Sequence, residues 1–179
     1  MRIKRACVFL AVLLCLSQSG CAVKGEDYFC YLKKGFCAEV RGELRGICFS
    51  AVIALVSEGE GYCVGVRYLS PEALEGLEVS AVCDAEGVPI GVGRVLLEGR
   101  EGEIDATMVE GLLLPACAFL GRSEIAAIRY AETCCQLTLT DGTVLKLGED
   151  GAPQSLQKEY MNVEVVWLEW SKDLDLLKK

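Results

Sequence analysis

From residue 36 onward, apolar and polar residues trade places at every second position, and glycine interrupts the exchange at short intervals. A strand turns successive side chains to opposite faces, so this alternation reads as half-buried strands. The glycine-containing links are too short for a parallel crossover, which leaves an antiparallel meander. The pattern predicts strands over 36–41, 47–56, 62–69, 77–83, 88–97, 134–140, 143–147, near 154–158, and 161–170. The second is apolar on both faces, as for a central strand covered on both sides, with Ile47, Phe49, Ala51, Ile53 and Leu55 on its bulkier side. Pro89 places the fifth at a sheet edge, and Val163, Val165 and Trp167 share a face of the last. Asp141-Gly142 predicts a type I′ hairpin.

Three stretches depart from this period. Residues 27–34 form a brief helix or turn with Tyr28, Phe29 and Tyr31 on its apolar side. Ser70-Pro71-Glu72 has the order of a helix start, but only one turn fits before Gly76. Within 101–121, Ile104, Met108, Leu112 and Leu113 fall at helical spacing around Pro115, giving one kinked helix or two short ones against the sheet. This stretch is either a plain core helix or a movable apolar lid. The fold class expected is mainly β (α+β): a strongly curved antiparallel sheet of about nine strands, with a helical segment covering one face.

Ahead of the sheet, residues 1–20 have the layout of a secretory signal. Arg2, Lys4 and Arg5 precede an apolar run over 6–16, then small polar residues. That run is short of the roughly 20 residues needed to span a bilayer. The ending Leu16-Ser17-Gln18-Ser19-Gly20-Cys21 resembles a bacterial lipobox, with Gln18 where an aliphatic residue is usual. The organisation expected is a lipoprotein-type signal peptide (1–20), a lipidated cysteine and tether (21–26), a β domain (27–170) and a charged C-terminal tail (171–179). Cys21 would carry the lipid, palmitate-like chains that anchor the protein outside the cytoplasm at the cell membrane. The alternative is a secreted protein cut near Gly20.

Charge and composition remove several functions. The chain has 18 basic and 26 acidic residues; loss of residues 1–20 takes three bases and no acid, so the remainder carries −11. Such a field repels phosphate backbones, which excludes nucleic acid as a partner, and anionic lipid headgroups, so membrane attachment falls to the anchor. The chain has no histidine, hence no Ser-His-Asp or Cys-His catalysis and not the commonest metal ligand. Glu101, Glu103 and Asp105 read as a solvated cap before a helix. Gly87-Val88-Pro89-Ile90-Gly91-Val92-Gly93 lacks the Lys-Ser/Thr ending of a phosphate loop. We therefore expect no enzyme, no catalytic residue, no metal site and no cofactor.

Of the 11 cysteines, Cys7 and Cys15 leave with the signal and Cys21 takes the lipid. Cys30, Cys37, Cys48, Cys63, Cys83, Cys117, Cys134 and Cys135 remain, an even number compatible with disulfides or with free thiols packed as small apolar groups. The vicinal Cys134 and Cys135 would point to opposite faces of a strand, one to the core and one outward.

Three segments carry a family likeness. They are the opening strands Gly35-Phe36-Cys37-Ala38-Glu39-Val40 and Ile47-Cys48-Phe49-Ser50-Ala51; the unit Tyr68-Leu69-Ser70-Pro71-Glu72-Ala73-Leu74-Glu75-Gly76-Leu77; and the closing Leu145-Lys146-Leu147 with Gly151-Ala152-Pro153. Together they resemble uncharacterised bacterial lipoproteins related to the lipoprotein-localisation factors LolA and LolB. The resemblance implies a half-barrel whose concave side, plugged by helices, surrounds a cavity for acyl chains. Phe49, Ile53, Val64, Val66, Leu112 and Phe119 are the candidate lining. Two functions stay open: binding of a lipid or other hydrophobic ligand, or a structural lipoprotein with a filled core that meets envelope proteins through its acidic surface.

Overall fold

The computed structural model describes residues 28–121 and 123–171; the signal, Cys21, the tether and nearly all of the C-terminal tail lie outside these. A short helix α1 (Cys30–Lys34) leads into β1 (Phe36–Leu44), β2 (Ile47–Glu58), β3 (Gly61–Ser70), β4 (Glu78–Cys83), β5 (Pro89–Leu97) and β6 (Arg100–Asp105). A continuous helical stretch follows: a 3-10 turn (Ala106–Val109), helix α2 (Glu110–Cys117) and a second 3-10 turn (Ala118–Leu120). The chain then returns through β7 (Ile125–Ala131), β8 (Cys134–Leu139), β9 (Val144–Gly148), β10 (Pro153–Lys158) and β11 (Met161–Trp170). All eleven strands make one curved, unclosed antiparallel sheet in the order β6-β5-β4-β3-β2-β1-β11-β10-β9-β8-β7. First and last strands meet at its centre; the curved antiparallel sheet expected from the alternation and the open half-barrel that the resemblance implies are both found.

Register sets the inner face. Phe36, Ala38 and Val40 of β1 stand opposite Leu55, Ile53 and Ala51 of β2, which stand opposite Val64, Val66 and Tyr68 of β3. All of these are buried and belong to one core. The outer face of this region carries a small apolar cluster of Cys37 and Ala54 with Val52 packed against them.

Four local expectations change. The sheet has eleven strands rather than about nine, because β6 and β7 are the two edges. The Arg-Glu-Gly-Glu-Ile-Asp of β6 has one apolar residue, and β7 is exposed along nearly its whole length, so neither shows a buried alternating face. The edge expected at Pro89 lies one strand further out. Pro89 opens β5, where its missing N–H costs no interior ladder bond, and β6 pairs with the strand beyond. On β11 the register shifts beside Val40: Val165 faces Val40, Val166 has no partner, and Trp167 faces Glu39. This bulge turns Trp167 outward and brings Leu168 and Trp170 onto the core in its place. The Asp141 turn is not type I′: Gly142 has φ 82° while Asp141 keeps a negative φ, and Gly142 N–H donates to the Leu139 carbonyl. That is a type I turn closed by a left-handed glycine.

The helical stretch lies on the inner face, held at both ends and between. Asp105 caps its start, accepting from Thr107 N at 2.9 Å and Oγ1 at 2.7 Å. Gly93 of β5 lets that start come close, since a Cβ there would sit 2.9 Å from Val109 Cγ2 and 3.3 Å from Ala106 Cα. Pro115 has no N–H to give the Gly111 carbonyl, and beside that break the Tyr68 hydroxyl donates to the Leu112 carbonyl at 2.9 Å. At the far end the Tyr31 hydroxyl donates to the Phe119 carbonyl at 2.7 Å. The Phe36 ring lies edge-on to both Tyr31 and Phe119, each with centroids 6.0 Å away.

Phe119→Ala should therefore lower the unfolding free energy by about 3–5 kcal/mol, and Trp167→Ala, a residue of similar size turned outward by the bulge, by less than about 1 kcal/mol. Urea melts of the two variants against the parent protein test this pair of values.

Candidate functional site

The inner-face residues singled out from the sequence are brought together, but as packing. Ile53, Val64 and Val66 are wholly buried, and Phe49 and Phe119 nearly so; Leu112 is half-buried against the same core. The helical stretch occupies the space over them. These six residues are not among those lining the two clefts that flank this packed centre.

The first cleft, about 540 Å³, lies between the start of the described chain and the far half of the sheet. Tyr28, Cys30 and Lys34 wall one side; Tyr130 and Ala131 of β7, Cys134 and Cys135 of β8 and Leu147 of β9 wall the other. The Tyr28 and Tyr130 hydroxyls are hydrogen-bonded to each other across 102 residues of chain. That bond, helped by burial, pushes the Tyr28 hydroxyl up to about 12, so it stays neutral and keeps its proton. Burial raises the Cys135 thiol as well. Glu132, Glu149 and Asp150 form an acidic border. Lys34, the cation of the border, sits 4.5 Å from the centre of the Trp170 ring. Apolar walls with a polar border suit an amphiphile better than an ion.

The second cleft, about 660 Å³, runs between Leu114, Cys117 and Ala118 of the helical stretch, the Ala85–Val88 turn, and the Asp141 and Tyr160 turns. It is the more polar of the two. Lys158 Nζ lies 2.9 Å from Asp141 Oδ2, and Thr143 N–H donates to Oδ1. Partial burial opposes ionisation of Asp141, but the hydrogen bonds from Lys158 and Thr143 outweigh it and hold the carboxyl at about 2.

The eight cysteines of the described residues are thiols. Cys135 packs on the core and Cys134 does not, yet both reach the first cleft, so the expected split between faces is incomplete. Cys63 donates to Glu58, and burial together with that bond pushes its thiol up to about 12. Cys83 and Cys117 have their sulfurs 3.8 Å apart. The contact lowers the Cys83 thiol and, with burial, pushes the Cys117 thiol up. Among the described residues no group of three or more Cys, Asp or Glu is placed to hold a metal ion. No described helix is long and apolar enough to cross a membrane.

Neither cleft was marked by the sequence. Their walls come from turns and strand ends far apart in the chain, which leave no periodic trace. The one local sign was the Tyr28, Phe29, Tyr31 cluster next to the tether.

No protein-family model matches the chain, and no curated protein matches it. Solved structures do. The structure of MucB superposes with a TM-score of 0.51 at 14% identity, over 89% of this chain and 64% of MucB, so the chain spans less than two thirds of that protein. An uncharacterized conserved protein from Thermus thermophilus matches with a TM-score of 0.49 at 12% identity, over 86% of this chain and 90% of that one. A LolA superfamily protein from Nitrosomonas europaea matches with 0.42 at 9% identity, over 88% and 98%. At these identities the likeness, carried by the match to MucB, is one of fold alone, here a curved, unclosed sheet with a helix on its concave side.

The Asp141–Lys158 pair has a defined pH signature. A carboxyl whose folded pKa is depressed stabilises the fold above its unfolded value of about 3.9 and loses that contribution as pH falls through the folded value, here about 2. Asp141→Asn should thus be less stable than the parent at neutral pH, with the gap closing between about pH 4 and about pH 2. Urea midpoints measured across that range decide it.

Proposed function

We propose that this protein is an extracytoplasmic lipoprotein, held at the cell membrane by lipid on Cys21, that binds the apolar part of a lipid or similar amphiphile in the Tyr28–Tyr130 cleft. The observation that carries this is where the cleft sits. Tyr28 and Cys30 wall it and follow Cys21 by seven and nine residues. At roughly 3.5 Å per extended residue, an anchored Cys21 keeps Tyr28 within about 25 Å of the acyl chains. A cleft so tethered takes its ligand from the bilayer without a long diffusional path. Its volume of about 540 Å³ falls within the range of small-molecule sites. The acidic border disfavours anionic headgroups and favours neutral or cationic ones.

The inner-face set of Phe49, Ile53, Val64, Val66, Leu112 and Phe119 could meet a ligand only if the helical stretch left the sheet. Exposing Phe119 and giving up the Tyr31 and Tyr68 hydrogen bonds alone costs about 4 kcal/mol. The Tyr28–Tyr130 cleft needs no such opening, so the proposal places the ligand there and assigns the six to the floor beneath the helix.

A second reading, an interaction lipoprotein with a filled core, is favoured by edge strand β7. Its Ile128 and Tyr130 are exposed at 39% and 61%, and its outer backbone edge has no neighbouring strand among the described residues. The partner would be another protein of the cell envelope.

Native mass spectrometry of the purified protein, beside the same sample denatured, separates the readings. Extra mass that is lost on denaturation and identified as an amphiphile supports the cleft. Ala131→Trp, which fills the cleft from an exposed position, should then reduce occupancy at least tenfold with little change in stability. A bare mass in both samples favours the interaction reading. Anchoring is tested apart from binding: metabolic labelling with palmitate should mark the parent protein and be lost in Cys21→Ala.

A further inference from the structure

We propose that Cys83 and Cys117 are a dithiol–disulfide pair that, when oxidised, fastens the covering helix to the sheet. The two residues end elements that must meet for the core to close: Cys83 is the last residue of β4, and Cys117 the last of α2. They are 34 residues apart in sequence, with sulfurs 3.8 Å apart. To form a bond of about 2.05 Å the sulfurs must approach by about 1.8 Å, a change on the scale of side-chain rotation. The backbone on the sheet side is well fixed. The Asp84 carboxylate accepts from the N–H groups of Glu86 and Val88 at 3.0 and 2.8 Å. On the far side of that turn Gly87 rests against the helical stretch, and a Cβ there would lie 3.1 Å from Leu120 Cβ.

Access differs between the two sulfurs, and the difference gives the reaction an order. Cys117 is half-buried and borders the second cleft, whereas Cys83 is fully buried. A disulfide-bearing oxidant, a small-molecule disulfide or a disulfide oxidoreductase, can meet Cys117 alone. The Cys117 thiolate attacks one oxidant sulfur, forming a mixed disulfide and releasing the oxidant's other sulfur as a thiolate. Cys83, deprotonated in turn, attacks Cys117 Sγ, closing the protein disulfide and expelling the oxidant's second thiolate. The two protons lost from the cysteines end on the two oxidant thiols; the cysteine pair loses two electrons and the oxidant gains them. The sulfur contact lowers the Cys83 thiol and raises that of Cys117, so Cys83 is placed to take the Cys117 proton as Cys117 attacks.

Closing this loop joins the two sides of the sheet–helix interface and fixes Leu114, Cys117 and Ala118, which wall the second cleft. The proposal does not depend on the lipid reading, since it concerns a different cleft and makes no use of a ligand.

The test uses the full chain in glutathione buffers of graded oxidised-to-reduced ratio, quenched by alkylation and digested without reduction. Arg94 and Arg100 lie between the two cysteines, so trypsin places them in separate peptides. In oxidised glutathione those peptides should appear joined, lighter than their sum by two hydrogens, and melting temperature should rise by roughly 5–10 °C. Both effects should vanish in Cys83→Ala and in Cys117→Ala and persist in Cys48→Ala, whose thiol is exposed elsewhere. Alkylation of both thiols at every ratio in the folded protein overturns the proposal. So does a joined peptide linking Cys83 or Cys117 to some other cysteine.

Discussion

An open sheet cannot satisfy its own apolar face. A closed barrel turns that face on itself, and a sandwich sets a second sheet against it; an unclosed sheet must find its cover elsewhere in the chain. Here the cover is the helical stretch between β6 and β7, and three aromatic side chains make it fit. Phe36 starts β1 at the centre of the sheet, with Tyr31 on one side and Phe119 on the other, both edge-on at 6.0 Å. Because Tyr31 also donates to the Phe119 carbonyl, the same contact fixes the end of the helical stretch, the start of the sheet and the angle at which α1 enters. Burial of the rings supplies most of the energy; the hydrogen bond supplies direction.

That cover is a fixed element rather than a free lid. The expectation from sequence left both roles open for residues 101–121, since apolar residues around a proline suit either. The structure decides by the partners of the backbone. The start is capped by Asp105 and seated on Gly93, the region of the proline break is met by Tyr68, and the end is held by Tyr31. Burial pushes the Tyr68 hydroxyl up to about 12, so its proton stays in place for the Leu112 carbonyl throughout the neutral range.

How much was legible follows from which residues carry periodic burial. Strands β1 to β4 have one buried and one wetter face, and their alternation gave position and orientation together. The edges β6 and β7 have no buried face, so the signal fails there. In β11 alternation is present but misleading: one unpaired residue at the bulge exchanges the faces beyond it, and Trp167 goes outward while Trp170 comes in. Only the pairing partner, Glu39 next to Val40, shows where the shift occurs. The clefts were illegible for a further reason. Tyr28 and Tyr130 meet because the sheet curves and carries β7 round to α1, and curvature is a property of the whole sheet.

The same curvature explains why the two clefts differ in character. Each forms where the helical cover stops short of the far half of the sheet. On one side the gap is flanked by α1 and by strand ends bearing Tyr130, Cys135 and Leu147, side chains that tolerate loss of water. On the other it is flanked by turns, and turns carry the hydrogen-bonding residues that shape them, here Asp141, Thr143 and Lys158. An apolar ligand gains from the first and would leave the Asp141 carboxylate poorly solvated in the second. The position of the cover along the sheet thus decides which cleft is the more apolar. It also leaves the polar cleft, with Cys117 on its wall, as the one open to a polar oxidant.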